Sequence, residues 1–158
     1  MKALKVYSTA IAPEWIDYNG HLRDAYYGLV LSYACDALMD QVGLDEAYRR
    51  STNCTLYTLE QHMHFLHEVK QVDQLEVLVR VMAADRKRIH AAFDFYTASY
   101  PDPVALGEMM LLHVRQDPTP VSVPFPSEIQ AALAALVTST STVQAPGPPS
   151  RRIELRVR

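Results

Sequence analysis

Residues 17 to 21 read Asp-Tyr-Asn-Gly-His, and a long apolar run follows them directly. This places a carboxylate (Asp17) and an imidazole (His21) around Gly20 just where a helix is about to begin. Asp24 stands where the N-cap of that helix would be, its carboxylate able to accept from the first free backbone N–H groups. Those free N–H groups also form a site for developing negative charge. A carboxylate beside such a site suits acyl-group chemistry. The same residues make ordinary turns, since Asp and Asn bond their own backbone and Gly supplies positive φ. A calcium loop does not fit, because an EF-hand needs Gly at its sixth position and Glu at its twelfth. Counted from Asp17, Gly20 is fourth and Gly28 twelfth.

The elements that must hold these residues fit one domain. The chain has 158 residues, 49% of them hydrophobic, which is ample for a single core. A net charge of -3 and a pI of about 6.0 leave no basic surplus for a nucleic-acid backbone or an anionic membrane. The two cysteines, Cys35 and Cys54, lie in apolar segments without C-x-x-C spacing. They make no disulfide framework, and a reducing cytoplasm is the expected setting. The N-terminal stretch lacks a long apolar core, and no window reaches the roughly 18 apolar residues of a membrane span, so a soluble, unexported protein is expected.

Leu4 to Ala12 reads as a first strand, ended at Pro13-Glu14. Ala25 to Val42 carries apolar residues at helical spacing around much of its circumference, which predicts a buried helix closed by Gly43. Leu56 to Val69 alternates, with Tyr57, Leu59, Met63 and Phe65 on one face and Thr58, Glu60, His62 and His64 on the other. Leu75 to Ala83 and Ile89 to Ser99 alternate around a charged turn and predict a hairpin, and Val104 to Arg115 adds another strand. A helical pattern near Ser127 to Val137 follows. Residues 138–158 read as an irregular tail on a single domain of residues 1–137. One long helix followed by an antiparallel sheet predicts an α+β fold, with the sheet's inner face on the helix. Such a sheet leaves edges, so a dimer through an edge strand is expected.

The stretch "DYNGHLRDAYY" resembles the D-x-x-G-H-V-N-N-x-x-Y signature of hotdog-fold acyl-CoA thioesterases of the 4-hydroxybenzoyl-CoA thioesterase type. Asp17, Gly20, His21 and Tyr27 fall on its fixed positions, while Arg23 and Asp24 replace two asparagines. "VDQLEV", from Val72 to Val77, resembles the family's G-D-x-L-x-V, with Val72 in place of the glycine. The element order matches as well, from Leu4 to Gln116. More narrowly, "WIDYNGHLRDAYY" is similar to the thioesterases of carnitine breakdown that act on betainyl-CoA.

The resemblance implies a hotdog fold, with about five antiparallel strands wrapped around one long central helix. It implies a homodimer, or a tetramer of two dimers, with active sites at the subunit interface. The activity implied is hydrolysis of a small acyl-CoA, betainyl-CoA among the candidates, to free acid and CoA. No metal or bound cofactor is implied, CoA being part of the substrate. Asp17 would attack the thioester carbonyl or activate water. The backbone N–H of Asp24 would serve the oxyanion, Gly20 would let the chain pass close, and His21 would orient the thioester or the loop. The rivals are a non-catalytic hotdog module binding an acyl or CoA ligand and a hotdog dehydratase, whose paired His and acid are not recognisable here.

Other residues carry weaker signals. Glu60, His62 and His64 share a strand face that could hold a metal, although a polar solvent or interface face explains them more simply. His67, His90 and His113 are scattered and carry no signal. Asp36 and Asp40, one helical turn apart, are reserve acids. Arg86, Lys87 and Arg88 at the hairpin tip could meet the phosphates of CoA or be a solvated turn, as could Arg151 and Arg152 in the tail. Trp15, Tyr18, Tyr26 and Tyr27 crowd the proposed site beside Asn19; an aromatic box would suit a quaternary ammonium, and packing in the core is the plainer reading.

Overall fold

The computed structural model describes residues 4–140. The helix α1 spans Asp24–Val42 and buries Tyr27, Val30, Leu31, Ala34, Cys35, Leu38, Met39 and Val42. This spacing of three and four is one stripe of an amphipathic helix. The expected all-round burial is therefore corrected: Ser32, Asp36, Asp40 and Gln41 face outward, and Tyr33 is 42% exposed. The reason is that α1 lies on a single sheet layer. Gly43, at φ 88, closes the helix in the left-handed conformation.

The strands are β1 (Leu4–Ala10), β2 (Cys54–Phe65), β3 (Gln74–Ala84), β4 (Arg88–Tyr96), β5 (Ala105–Arg115) and the short β6 (Val121–Ser122). They form one antiparallel sheet in the order β1-β3-β4-β5-β2, with β6 beside β5. The inner residues Leu75, Val77, Val79 and Val81 of β3 and Ile89, Ala91, Phe93 and Phe95 of β4 share one core with the stripe of α1. That is the α+β, hotdog-like arrangement expected, with additions. Helix α2 (Glu46–Thr52) was not foreseen; its apolar content is low, but Asp45 caps it by accepting from the Tyr48 N–H at 2.8 Å. Helix α3 spans Ser127–Thr140, so the expected tail begins in a helix, and the remainder of the tail, with Arg151 and Arg152, lies outside the described residues.

Two strand readings need correction. The first strand stops at Ala10, and Pro13–Trp15 forms a turn of 3-10 helix; Pro13 has the fixed φ that suits a helix start. In β2 the register shifts between Thr58 and Glu60. The extra residue, Leu59, inverts the alternation. Tyr57 consequently pairs with Leu112 on the outer face shared by Glu60 and His62, while Leu56 and Met63 pack against the core.

The outer face is polar but not simply solvated. Arg80 donates to both oxygens of Asp94 at 2.8 Å, and the two side chains are only 2% and 4% exposed. Among the described residues no helix is long and apolar enough to cross a membrane. Both cysteines are free and buried, and burial pushes the Cys35 thiol up to about 12.

Candidate active site

The stretch from Ile16 to Leu22 folds into a tight loop closed by a bridge between its ends. Inside it the Asp17 N–H donates to the His21 carbonyl at 2.8 Å, and the Gly20 N–H donates to the Asp17 carbonyl at 3.0 Å. Gly20 sits at φ 80, a left-handed conformation that residues with a side chain rarely adopt. The Asp17 carboxylate turns back over this loop. Its Oδ1 accepts from the N–H groups of Asn19 at 2.8 Å and His21 at 3.1 Å. The turn chemistry is therefore present, and it has an electrostatic result. The bond from the His21 N–H, with help from Asn19, holds the carboxylate below the usual aspartate range, so Asp17 is ionised.

The loop leads straight into α1. The Leu22 N–H donates to the Val69 carbonyl at 2.8 Å, and the Arg23 N–H donates to the Trp15 carbonyl at 3.0 Å. These two bonds hold Arg23 extended, so Arg23 and not Asp24 is the N-cap, with no side-chain cap bond. Asp24 is the first helical residue, and its carboxylate accepts from the Ala25 N–H at 2.9 Å. The carboxylate still favours the helix start, and the backbone N–H of Asp24 remains among the donors that an α-helix leaves without an internal partner.

A groove of about 320 Å³ opens at this helix start, lined by His21, Leu22, Asp24 and Tyr27 on one side and by Phe65, Leu66, His67 and Glu68 on the other. The bond from Leu22 to Val69 staples the two sides together. Asp17 does not itself line the groove, but His21 joins them: its backbone holds the carboxylate, and His21 is among the residues that line the groove. Sequence reading missed the wall after β2. Spacing gave no hint that the residues after Phe65 would face the helix start, because strand pairing alone brings them there.

The expected aromatic cluster is divided. Trp15 stacks on Tyr26 with ring centroids 5.2 Å apart, and Tyr18 is 90% exposed. Tyr27 is buried against Phe65 and Phe95, and burial pushes its hydroxyl up to about 12. The hairpin tip lies at the other end of the sheet. β3 pairs with Ala10 at Gln74 and turns after Ala84, on the order of 30 Å further along the strand. There Lys87 donates to Ser122 at 2.9 Å and Arg88 pairs with Asp85 at 2.6 Å, while Arg86 is exposed. Asp36 and Asp40 lie on the outer face of α1, away from the groove. Glu60 and His62 pair at 2.8 Å on the outer sheet face. His113 is a core histidine, held between the Tyr48 hydroxyl at 3.0 Å and the Val123 carbonyl at 2.9 Å. In the second motif, Asp73 fixes the turn before β3 by accepting from the Lys70 N–H at 2.8 Å.

Residues 11–133 match the profile of the thioesterase-like superfamily. The chain is 46% identical over 145 residues to the betainyl-CoA thioesterase of Pseudomonas aeruginosa, covering 92% of this chain and 91% of that one. It is 31% identical over 150 residues to an L-carnitine dehydrogenase/betainyl-CoA thioesterase of Rhizobium meliloti, of whose greater length it spans 30%. A crystal structure of a candidate thioesterase from Pseudomonas putida KT2440 superposes with a TM-score of 0.87 at 42% identity, covering 99% of both chains. A Staphylococcus aureus protein solved in complex with CoA shares the fold, with a TM-score of 0.89 at 24% identity.

Proposed function

Given that this chain belongs to the thioesterase-like superfamily and is a thioester hydrolase, we propose that it hydrolyses betainyl-CoA to betaine and CoA, with Asp17 as the catalytic carboxylate. The observation that carries the reading is the ionised Asp17, fixed by two backbone N–H groups one short loop before a helix start that faces an open groove. The similarity to the Pseudomonas aeruginosa enzyme, spread over nearly the whole of both chains, supports the choice of acyl group.

In the proposed reaction the thioester carbonyl lies at the start of α1. Asp17 attacks its carbon, or takes a proton from the water that does. The carbonyl oxygen gathers negative charge beside the Asp24 N–H, a donor worth about 3 kcal/mol to such a barrier. The C–S bond then breaks and CoA leaves as the thiolate, which takes up a proton from water or from the protonated Asp17; on the direct route water then hydrolyses the Asp17–acyl anhydride, releasing the acid and restoring the carboxylate. His21 orients the loop. The reaction needs only water and the substrate's own CoA, and it suits the cytoplasm.

We place the working unit as a homodimer, alone or paired into a tetramer, formed along the outer side of β2. This strand is a sheet edge, and Leu59, Phe65 and Leu66 on or just past it are 55%, 53% and 47% exposed. Apolar surface on a free edge favours pairing with another chain. Arg86, exposed at the distant hairpin tip, would then meet CoA phosphates bound at the site of a second copy. The test is thiol release from a panel of short acyl-CoA esters by the purified protein. Fastest turnover of betainyl-CoA is expected; saturable binding without turnover of any ester would make it a binding module.

A further inference from the structure

Residues 97–104 join β4 to β5, and they grip the segment after β2 at two places. At the first, the Val104 carbonyl accepts from the N–H groups of Leu66 and His67 at 2.9 and 3.0 Å, and the His67 ring stacks on Tyr100 at 4.4 Å and 17°. At the second, the Ser99 hydroxyl donates to Oδ1 of Asp73. The other oxygen of Asp73 accepts from the Lys70 N–H at 2.8 Å, and the Asp73 N–H returns to the Lys70 carbonyl at 3.1 Å. One carboxylate thus closes the turn of residues 70–73 and ties it to a loop 26 positions away. Closing the turn needs only the local bonds to Lys70; the bond from Ser99 adds an anchor outside it.

Between the two grips lies Val69, fully buried, whose carbonyl accepts from the Leu22 N–H at 2.8 Å. Leu22 closes the Asp17 loop through its bridge to Ile16, and its neighbour His21 donates to the Asp17 carboxylate. A carbonyl keeps its place only when the chain is fixed on both sides of it. Held at Leu66–His67 alone, the segment would pivot there and carry the Leu22 bond with it. We propose that Asp73 and Ser99 are positioning residues for thioester hydrolysis: they hold the Val69 carbonyl and, through Leu22, the Asp17 loop, without touching the substrate.

This rests on the reading of Asp17 as the catalytic carboxylate. It is tested by kcat and KM, measured separately on the ester that the wild type turns over fastest, with thermal unfolding of each variant alongside. Asp73→Ala removes both side-chain bonds but leaves the groove wall held at Val104, so kcat should fall about tenfold while KM changes less than about threefold. Asp73→Asn keeps the shape without the charge: its oxygen accepts from Lys70, and its amide donates to the Ser99 hydroxyl, which serves equally as an acceptor. It should hold kcat within about twofold of the wild type, since position and not charge is what Asp73 supplies. Ser99→Ala, at an exposed site that allows the variant to fold, should lower kcat about threefold. A folded Asp73→Ala with the wild-type kcat overturns the inference alone, as does Asp73→Asn when it is as slow as Asp73→Ala. Where Asp73→Ala does not fold, an unchanged kcat in Ser99→Ala overturns it. A wild type that turns over no ester, or an undiminished kcat in Asp17→Asn, overturns the proposed function and the inference with it.

Discussion

The backbone N–H of His21 donates to Oδ1 of Asp17 at 3.1 Å while the carbonyl of His21 accepts from the N–H of Asp17 at 2.8 Å. This reciprocal pair fixes the carboxylate by main chain alone, so its position does not depend on another side chain. Asparagine can accept the same two N–H bonds. Asp17→Asn should therefore keep the fold and melting temperature while kcat falls by roughly 10²- to 10⁴-fold. Thiol release and thermal unfolding of the purified variant check both halves. Single-turnover hydrolysis in heavy-oxygen water separates the two routes, since only direct attack by Asp17 leaves the label in the protein.

The same bonds set the pH dependence. Asp17 binds its proton more weakly in the folded protein than in the unfolded chain. Its contribution is therefore complete above the ordinary aspartate value of about 3.9 and is lost as pH falls through the lowered value. The acid limb of kcat/KM should accordingly lie below the ordinary aspartate range. A limb near neutrality would show an imidazole to be the essential base.

Gly20 carries the loop's backbone at φ 80, with open space where a Cβ would stand. Gly20→Ala should cost about 1 kcal/mol from conformation alone. Because Asp17 accepts within the same turn, kcat/KM should fall along with stability. Gly20→Asn, which tolerates left-handed φ, should restore part of both in urea unfolding and turnover assays.

Along the free edge of β2, replacing Tyr57 and Leu59 together by Lys should oppose pairing with a second copy. Light scattering should then report a monomer, and kcat/KM should fall at least about tenfold if the site needs its partner. A variant that stays dimeric and active would place the interface elsewhere.

On the outer sheet face, Arg80 and Asp94 are buried together. Asp94→Leu would leave an uncompensated guanidinium and should destabilise by about 3–5 kcal/mol. Replacing both residues with apolar ones should cost much less, a contrast that denaturant titration reads directly.

The sequence by itself determined the parts of this protein that depend on local pattern. The spacing of apolar residues after Asp24 specified a helix with its left-handed Gly43 end, because helical periodicity is a property of neighbours three and four apart. Alternation specified β3, β4 and β5 within a few residues. The turn residues Asp17 and Gly20 marked the loop, since Asp-to-backbone bonds and positive φ are local chemistry. Tertiary structure decided the rest. A register shift at Leu59 reversed the faces of half of β2, and nothing in the alternating residues themselves announces an inserted one. Bonds from Trp15 and Val69, outside the helix, settled that Arg23 and not Asp24 caps α1. Pairing of β2 with β5 brought Phe65 to Glu68 against the helix start. The proposed catalytic loop is thus a short-range feature, whereas the groove at the helix start joins residues more than forty positions apart, and only the sheet can bring them together.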